Sequence, residues 1–535
     1  MLAGDDLSVP TGAQRIVELL REEGVDRIFG NPGSTELALV EAIVRSGDIA
    51  YTLALHEGCV IPMADGYTQA TGRPAFVNLH TISGLGNAVG VLANAKANGT
   101  PLVVTAGQQD RALLIHGPLL GYDLVSVACP VVKWAAEVRS EAELGAMLRR
   151  AFLEAAAPPA GPVFLSLPQD ILCAPAPTPL PTRSEMMVPG VAGGMETVLS
   201  LLRAARSPVI VAGQELGTSD GSRAIVALAE RLGAPLFTAF NAQRGVVPPR
   251  HPLNRGDLPG FAQGLRQVLA DHDCLFFVGG QAFQLFGGEP GPILPDGAAL
   301  IHLAPDASAL SRGYIPATCL FGDLVRTLGA ITEGLPEAPK YDTPPEAAVS
   351  PPAASSRLDA HLACRMLIDA LPPDAILHNE VPSVGAALRS LFPWRDPEQF
   401  YSSKQTIGWA MGAAVGVSLG HGRARKSLAL IGDGSAAFSL SALWSAAREK
   451  VPVIFAIIDN SGYEILSAMT QAMTGRRTNN NPALQIGDPA LDFVLLARGY
   501  GVEAQAVDDI TSLADAIKWA MDAEGPVLLH VKLPA

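Results

Sequence analysis

The stretch LALIGDGSAAFSLSALWSAAREKVPVIFAIIDNSG (residues 428–462) contains two apolar runs, and each run ends in polar residues. The first run is followed by Gly432-Asp433-Gly434-Ser435. The second, which comes after a segment of helical pattern, is followed by Asp459-Asn460-Ser461-Gly462. This order of strand, glycine-rich turn, helix and strand predicts a parallel α/β unit. In such sheets ligands bind at the carboxyl ends of the strands, which is where both polar segments lie.

The residues in these two turns suit an anion and a cation together. Gly432 and Gly434 allow backbone N–H groups to approach a phosphate, and the start of a helix favours negative charge. Asp433, the amide oxygen of Asn460 and a nearby backbone carbonyl are hard oxygen ligands of the kind that Mg²⁺ prefers. A tight turn without a ligand is the alternative, but one cation would satisfy both the Asp and the Asn. The residues alone therefore predict a magnesium–diphosphate site.

Length and composition restrict the class of protein. The chain has 535 residues, of which 48% are hydrophobic and 17% charged, so we expect about three domains with a large buried core. The formal net charge of −14 argues against nucleic acid, which binds basic surfaces. The acidic N-terminus, Met1 to Asp6, lacks an apolar signal segment, and no apolar run approaches the length of a membrane span. We therefore expect a cytoplasmic protein with no membrane partner.

The cysteines are scattered and form no C-x-x-C pair. This pattern predicts buried thiols in a reducing compartment rather than a disulfide framework or a zinc site. The six residues are Cys59, Cys129, Cys173, Cys274, Cys319 and Cys364.

Two proline-rich stretches divide the chain. They run from Cys173 to Pro189 and from Gly334 to Ser356, and such segments are typical of extended linkers. They leave three domains, at residues 1–180, 190–335 and 356–535. All three alternate short apolar runs with helical patterns, which predicts an α/β fold of three doubly wound domains with parallel sheets.

The first domain repeats the order of elements seen in the third. A strand from Ala75 to Leu79 precedes a predicted glycine-rich turn at Gly84 and Gly86, a helix, and a strand from Leu102 to Thr105. The glycine spacing does not match a dinucleotide fingerprint, so we expect close packing or approach to a cofactor ring rather than an NAD site. In the middle domain the predicted strands are Val209 to Ala212, Leu275 to Val278 and Ala299 to Leu303.

Three polar residues of the first domain are candidates for chemistry. Glu57 interrupts an apolar segment, so it is either paired with an arginine or shares a proton with a ligand nitrogen. Ser34 is placed either as a helix N-cap or as a substrate ligand. His80 ends the strand before the glycines and could equally be satisfied by backbone partners. All three follow predicted strands, so we expect them to share one face of the sheet.

Together, these motifs resemble those of a known enzyme superfamily. Gly432-Asp433-Gly434-Ser435, followed 24 residues later by Asp459-Asn460, is similar to the motif that binds thiamine diphosphate. Glu57 with the following Ala64-Asp65-Gly66-Tyr67 resembles the pyrimidine-binding domain of the same enzymes. Within the superfamily, the benzoylformate decarboxylases are the most similar. The matching phrases are FGNPGSTE (29–36), ADGYTQA (64–70), FVNLH (76–80), GNAVG (86–90), TAGQQ (105–109), VKW (132–134), GDGSA (432–436), SALW (441–444) and RGYGV (498–502).

The resemblance implies a cofactor, a metal and an assembly. Thiamine diphosphate would lie between two subunits of a homodimer or homotetramer, with Glu57 hydrogen-bonded to a pyrimidine nitrogen. Ser34 and His80 would bind the substrate and transfer protons. Mg²⁺ would be held by Asp433, Asn460 and the carbonyl of Gly462. The other cofactor-binding residues that the resemblance implies are Gly84, Gln405, Ile407, Gly432, Gly434, Ser435 and Tyr463.

The chain also departs from the family pattern. Asp459 replaces the first Asn of the usual pair, and Phe286 stands where benzoylformate decarboxylases have a second active-site histidine. Ile465 and Leu466 lie where the family shapes the substrate side-chain pocket, and a branched Ile465 would narrow it. Lys404 and Gln405 replace smaller residues. The predicted substrate pocket therefore contains Ser34, His80, Phe286, Ile465 and Leu466.

The resemblance implies a thiamine diphosphate- and Mg²⁺-dependent enzyme that decarboxylates a small 2-oxo acid, benzoylformate or a relative, to an aldehyde. The alternative is a carboligase or carbon–carbon lyase of the acetolactate synthase kind that also takes an aldehyde. A flavin-bearing synthase or oxidase is disfavoured. A non-catalytic relative that only binds the cofactor is a further alternative, against which the retained Glu57 argues.

Overall fold

The computed structural model describes residues 9–186, 189–310, 312–337, 357–475 and 481–534. Within the chain there are two compact units, one made of Met1–Met186 with Gln405–Ala535 and the other of Met187–Lys404. Most of the second proline-rich stretch, residues 187–188 of the first, and the N-terminal Met1 to Asp6 lie outside the described residues. The domain boundaries expected from the two linkers stay a prediction.

The first sheet lies in the first unit, and its strands pair in parallel in the order β2-β1-β3-β4-β6-β5. The strands are β1 Arg27–Gly30, β2 Ala50–Leu53, β3 Ala75–Leu79, β4 Leu102–Gln108, β5 Trp134–Glu137 and β6 Val163–Pro168. The α-helices are α1 Gly12–Glu22, α2 Leu37–Ser46, α3 Glu57–Thr71, α4 Thr81–Asn98, α5 Arg111–Leu114, α6 Leu124–Ala128, α7 Leu144–Ala156 and α8 Gln169–Cys173.

The second sheet lies in the second unit and is also parallel, in the order β12-β11-β10-β7-β8-β9. Its strands are β7 Pro208–Ala212, β8 Leu236–Thr238, β9 Asn254–Asp257, β10 Cys274–Val278, β11 Ala299–Ala304 and β12 Thr318–Phe321. The helices of this unit are α9 Met195–Ala204, α10 Ser219–Leu232, α11 Ala262–Leu269, α12 Ala307–Leu310, α13 Leu324–Gly334, α14 Ala360–Asp369 and α15 Gly385–Leu391.

In the first unit, four further strands pair in parallel in the order β15-β16-β18-β17, and in the second unit β13 pairs in parallel with β14. The strands are β13 Ile376–Glu380, β14 Phe400–Ser402, β15 Ser427–Gly432, β16 Val453–Asp459, β17 Glu503–Val507 and β18 Val527–Lys532. The helices are α16 Ala410–Gly420, α17 Asp433–Ala437, α18 Ala442–Glu449, α19 Glu464–Thr474, α20 Phe493–Gly499 and α21 Ile510–Asp522.

These helix-covered sheets of parallel strands confirm the predicted α/β fold. Strands such as β3 and β4 are buried along their whole length, as expected of a parallel sheet that helices cover on both faces. The predicted strands of the middle domain also form, each within one residue of its expected ends. None of the helices in the described part of the chain has the length and apolar character needed to cross a membrane.

Three expectations about local structure were wrong. Gly84 and Gly86 do not form a turn, because helix α4 already begins at Thr81 and contains both. Asp433 to Ser435 are the first turn of α17 rather than a loop. All six cysteines were expected to be buried, but three of them are exposed: Cys129, Cys173 and Cys319.

Tight packing of α3 on α16 joins the helix that starts at Glu57 to the segment that carries Ile407. Gly66 and Gly416 of these helices leave no room for a Cβ atom, which would overlap backbone of the facing helix. The buried Asp65 carboxylate accepts a 2.8 Å hydrogen bond from Trp409 Nε1 across this interface. Such a contact fixes the start of α16 relative to α3.

Candidate active site

Glu57 is the first residue of α3 and is only 6% exposed. Its two carboxylate oxygens accept hydrogen bonds of 2.9 Å, one from the side-chain amide of Asn31 and one from that of Asn87. These neutral amides, rather than an arginine, hold the group. A carboxylate has further lone pairs, so Glu57 can still accept from or share a proton with a ligand nitrogen.

Gly84 makes room beside this carboxylate. A Cβ atom at Gly84 would lie 3.3 Å from Glu57 Oε1 and 3.3 Å from Leu79 Cβ, which is tighter than ordinary van der Waals contact. The glycine in the interior of α4 lowers helix propensity, and its close approach to Glu57 gives a reason for its presence. Gly84 therefore lies next to the predicted pyrimidine-binding residue.

His80 lies between β3 and α4, with its ring partly exposed. Its Nδ1 atom is 2.9 Å from Oε2 of Glu36 and 3.3 Å from Oγ1 of Thr35. Glu36 is buried, and it also accepts hydrogen bonds from the N–H groups of Gly33 and Gly107. Because these donors fix the carboxylate, we expect Nδ1 to carry the proton and Nε2 to be the atom free to exchange a proton with a ligand.

Ser34 opens the 3₁₀ helix Ser34–Glu36 and is exposed. The N-cap is Gly33, so of the two alternatives for Ser34 the structure rules out the N-cap. Within the described residues, the Ser34 hydroxyl makes no hydrogen bond. Ser34 is two residues before Glu36, whose carboxylate orients His80. Ser34 and Glu36 therefore belong to one short segment.

Replacing Gly33 by Ala is expected to displace His80. A Cβ atom at Gly33 would overlap the imidazole ring, so the ring must leave its hydrogen bond with Glu36. We expect the turnover rate to fall by about 10²-fold, at the lower end of the contribution of a positioned proton-transfer group. Steady-state kinetics would measure this, with Gly329→Ala as control, since that glycine lies inside helix α13 and a Cβ there meets no atom within 4 Å. An unchanged rate in Gly33→Ala would contradict the role of His80.

The predicted cation ligands converge at the ends of β15 and β16. The N–H of Gly462 donates both to Oδ2 of Asp433, at 3.1 Å, and to Oδ1 of Asn460, at 3.3 Å. The Asp433 carboxylate is buried and also accepts from its neighbour, the N–H of Gly434, at 2.8 Å. Both side-chain oxygens therefore lie within 3.3 Å of one backbone nitrogen, which brings the two predicted cation ligands to the same turn.

Electrostatics around Asp433 favour a cation. Burial, together with the neighbouring Asp459, raises the pKa of Asp433 to about 7. Burial also acts to raise the pKa of Asp459, but hydrogen bonds from His530 and from the N–H of Ser461 outweigh it, so the pKa of Asp459 is lowered. A divalent cation beside Asp433 would favour its charged form.

The remaining cofactor candidates lie around the same two turns. A Cβ atom at Gly434 would lie 2.6 Å from the Tyr463 ring, so this backbone and the ring are in close contact. Ser435 is buried in α17, and Gly432 is the N-cap of that helix. Tyr463 directly precedes α19.

Ile407 and Gln405 are both exposed, just before α16. The N–H of Gln405 donates to Oδ1 of Asn94 at 2.9 Å. Gly408, with φ of +82°, sits where a Cβ would lie 2.6 Å from the Phe438 side chain, so only glycine fits there. This turn presents Ile407 with 39% of its surface accessible, which leaves it available for contact with a ligand.

The substrate-pocket residues are divided between the units. Ile465 and Leu466 lie in the first turn of α19, and both are exposed, at 37% and 43%. Phe286 lies in the second unit, is 62% exposed, and packs edge-on against Phe261 with ring centroids 5.8 Å apart. The pocket that combines Phe286 with the residues of the first unit stays a prediction.

The structure identifies partners that the sequence did not. Asn31, Glu36 and Asn87 hold the candidate residues Glu57 and His80, and His530 holds Asp459. Glu36 lies in the quoted segment 29–36, but a role for it depends on His80, 44 residues away.

The side chains present fit thiamine diphosphate and Mg²⁺. Glu57 is a buried carboxylate that can still share a proton with a pyrimidine nitrogen, and the glycine at position 84 keeps a side chain away from it. The oxygens of Asp433 and Asn460 are hard ligands of the type that Mg²⁺ takes. Among the described residues no group of three or more His, Cys, Asp or Glu side chains could hold a metal. The predicted ligand set has one carboxylate, one amide and one carbonyl.

Comparison with known proteins agrees with the three sheets. Residues 10–122, 195–331 and 383–531 match, respectively, the N-terminal TPP binding domain, the central domain and the C-terminal TPP binding domain of thiamine pyrophosphate enzymes. Thiamine pyrophosphate (TPP) is thiamine diphosphate. The three matches together span most of the chain.

Individual relatives cover nearly the full length. Benzoylformate decarboxylase of Pseudomonas aeruginosa is 36% identical over 523 residues, which cover 96% of this chain and 97% of that protein. The acetolactate synthase isozyme 2 large subunit of Escherichia coli is 26% identical over 536 residues, or 98% and 95% of the two chains. The thiamine diphosphate-dependent 4-hydroxybenzoylformate decarboxylase of Rhodococcus jostii RHA1 superposes with a TM-score of 0.89 at 34% identity, covering 98% and 99%.

The predicted family is thus confirmed: this chain belongs to the thiamine diphosphate-dependent enzymes, and within them it is similar to the benzoylformate decarboxylases.

Proposed function

We propose that the protein is a thiamine diphosphate- and Mg²⁺-dependent enzyme that decarboxylates a 2-oxo acid to an aldehyde without oxidation. The observation that carries this proposal is the buried Glu57 carboxylate, held by Asn31 and Asn87 with 2.9 Å hydrogen bonds. A protein that only bound the cofactor would not need a carboxylate there. The 36% identity to a benzoylformate decarboxylase supports the same reaction class.

In this proposal the cofactor supplies the electron sink that makes loss of carbon dioxide possible. Asp433, Asn460 and the Gly462 carbonyl would hold Mg²⁺ and, through it, the diphosphate. Gly432, Gly434 and Ser435 would contact the diphosphate, and Ile407 with Tyr463 would contact the rings. Glu57 would share a proton with a pyrimidine nitrogen. Glu57 would therefore hold or release the proton that it shares with this nitrogen.

His80 and Ser34 would act on the substrate. The Nε2 atom of His80 can donate or accept a proton while Nδ1 stays hydrogen-bonded to Glu36. The exposed Ser34 hydroxyl can donate to a carboxylate oxygen of a 2-oxo acid. Ile465 and Leu466 present apolar surface that would receive the substrate side chain, with Phe286 as a further candidate.

A carboligase or carbon–carbon lyase is the second candidate. The observation that favours it is Phe286, which has no proton to give where benzoylformate decarboxylases have a histidine. Slower protonation after loss of carbon dioxide would leave time for an aldehyde to react instead. Similarity to an acetolactate synthase subunit over 98% of the chain agrees with this second activity.

The proposed assembly is a homodimer or homotetramer in which each cofactor lies between two subunits. Ile407, Ile465 and Leu466 are then covered by cofactor or by a second copy, rather than exposed as they are in the single chain. The proposed partners are otherwise small molecules: a 2-oxo acid, and an aldehyde as product or second substrate.

A panel of aromatic and aliphatic 2-oxo acids, assayed for aldehyde with added cofactor and Mg²⁺, tests the proposal. We expect aldehyde from at least one acid, and its formation should stop when the metal is chelated. Addition of an aldehyde acceptor should separate the two candidates, since a carboligase would then form a 2-hydroxy ketone in place of free aldehyde. Absence of both products across the panel, with cofactor bound, would contradict the proposal.

A further inference from the structure

We infer that the hydrogen bond between Asp459 and His530 is a positioning device that fixes the cation loop, defined as residues 459–462. Asp459 and His530 would act through this loop on Asp433 and Asn460 rather than touch the cation themselves. The inference rests on the proposed Mg²⁺ site. It concerns a feature in which this chain differs from the family pattern, since Asp459 stands where the family has Asn.

The His530 side chain is held rigidly in this contact. It lies on β18, which pairs in parallel with β16, and is only 1% exposed. Its ring packs edge-on against Phe493 with centroids 5.0 Å apart, and its Nε2 atom is 2.7 Å from Oδ2 of Asp459. A ring buried on a central strand cannot follow a moving loop, so Asp459 is held in place.

The second carboxylate oxygen of Asp459, Oδ1, holds the loop in turn. Oδ1 accepts a 2.8 Å hydrogen bond from the N–H of Ser461. Ser461 has φ of +60°, a conformation that is unfavourable for residues other than glycine and therefore needs support. The next N–H, that of Gly462, then points at Asp433 and Asn460. Asp459 thus sets the direction of the group on which both predicted ligands converge.

The proton positions in the pair exclude a simple exchange of Asp459 for Asn. Because a carboxylate accepts, Nε2 of His530 must carry the hydrogen. Nδ1 is buried and has no hydrogen-bond partner among the described residues, so a proton there would be unsatisfied. In Asp459→Asn, with Oδ1 kept on Ser461, the amide NH₂ would face the Nε2–H group. Two donors would then oppose each other, and the loop must shift.

The test measures Mg²⁺ binding by calorimetry on the full-length protein with saturating thiamine diphosphate. We expect Asp459→Asn to weaken Mg²⁺ binding by roughly tenfold, the size of one lost hydrogen bond to a charged group. In the double variant Asp459→Asn with His530→Gln, the Gln oxygen can accept from the Asn amide. Most of the loss should therefore be recovered, although the double variant carries more changes. Asp515→Asn, an exposed site, is the matched control.

A second pair of variants keeps the test decisive if Asp459→Asn does not fold. His530→Gln retains a donor for Asp459 and should bind Mg²⁺ within about threefold of wild type, whereas His530→Ala should lose roughly tenfold. Equal affinity in all variants, additive losses in the double variant, or tighter binding in His530→Ala would overturn the inference. Failure of the proposed function is distinguishable, because wild type itself would then bind no Mg²⁺ or cofactor.

Discussion

Glu57→Gln is expected to lower kcat/KM by about 10²–10⁴-fold, the range that a positioned acid–base group contributes. The amide cannot share a proton with the cofactor's pyrimidine nitrogen as a carboxyl can. The cofactor should still bind, because the diphosphate and cation ligands lie at the other turn. Steady-state kinetics with a turned-over 2-oxo acid and calorimetry with the cofactor would separate the two effects.

Stability must be followed in the same variant. Asn31 and Asn87 each donate to one Glu57 oxygen, and Gln offers only one oxygen. One buried amide would then face another donor, at a cost of about 1–3 kcal/mol in the free energy of unfolding. Glu41→Gln is the control, since that residue is exposed and paired only with Arg45 at the surface. A folded Glu57→Gln protein that keeps more than a tenth of the activity would show that Glu57 is not a catalytic residue.

Asp433→Asn is expected to abolish metal-dependent binding of the cofactor. It removes the one carboxylate in the predicted ligand set and leaves one side-chain oxygen at position 433 for the N–H groups of Gly434 and Gly462, of which the latter also donates to Asn460. The Mg²⁺ affinity should fall by more than about 100-fold, since loss of a residue that only supports a metal ligand already costs 10–100-fold. Thermal unfolding with and without cofactor and Mg²⁺ would measure it.

We expect cofactor and Mg²⁺ to stabilise the wild-type protein against thermal unfolding but not the Asp433→Asn variant. A ligand present at about 100 times its Kd stabilises the native state by about 2.7 kcal/mol, which should raise Tm in wild type and in the surface control Asp515→Asn. In Asp433→Asn the same additions should leave Tm unchanged. An equal rise in Tm in the variant would exclude Asp433 as a metal ligand.

Much of the fold was predictable because parallel sheets leave a strong trace in sequence. Buried strands such as β3 and β15 are continuous apolar runs, and their carboxyl ends are marked by polar residues. The cation loop was predictable for the same reason. Asp433 and Asn460 follow neighbouring strands, and β15 does pair with β16.

The contacts that support the site could not be predicted from local pattern. Glu36 and His80 are 44 residues apart, and Asp459 and His530 are 71 apart, so their pairing exists only in the folded chain. Helix α4 shows the same limit. Its glycines predicted a turn, yet packing beside Glu57 favours helix there over their weak intrinsic propensity.

The proposed cofactor site is tested most directly by a crystal structure from crystals grown with thiamine diphosphate and Mg²⁺. We expect the metal to contact Asp433, Asn460 and the Gly462 carbonyl, with the diphosphate beside Gly434, and the pyrimidine ring to lie within hydrogen-bonding distance of Glu57 from a second copy of the chain. Cofactor bound with its pyrimidine away from every Glu57 side chain, or no cofactor at these turns at saturating concentration, would contradict the account.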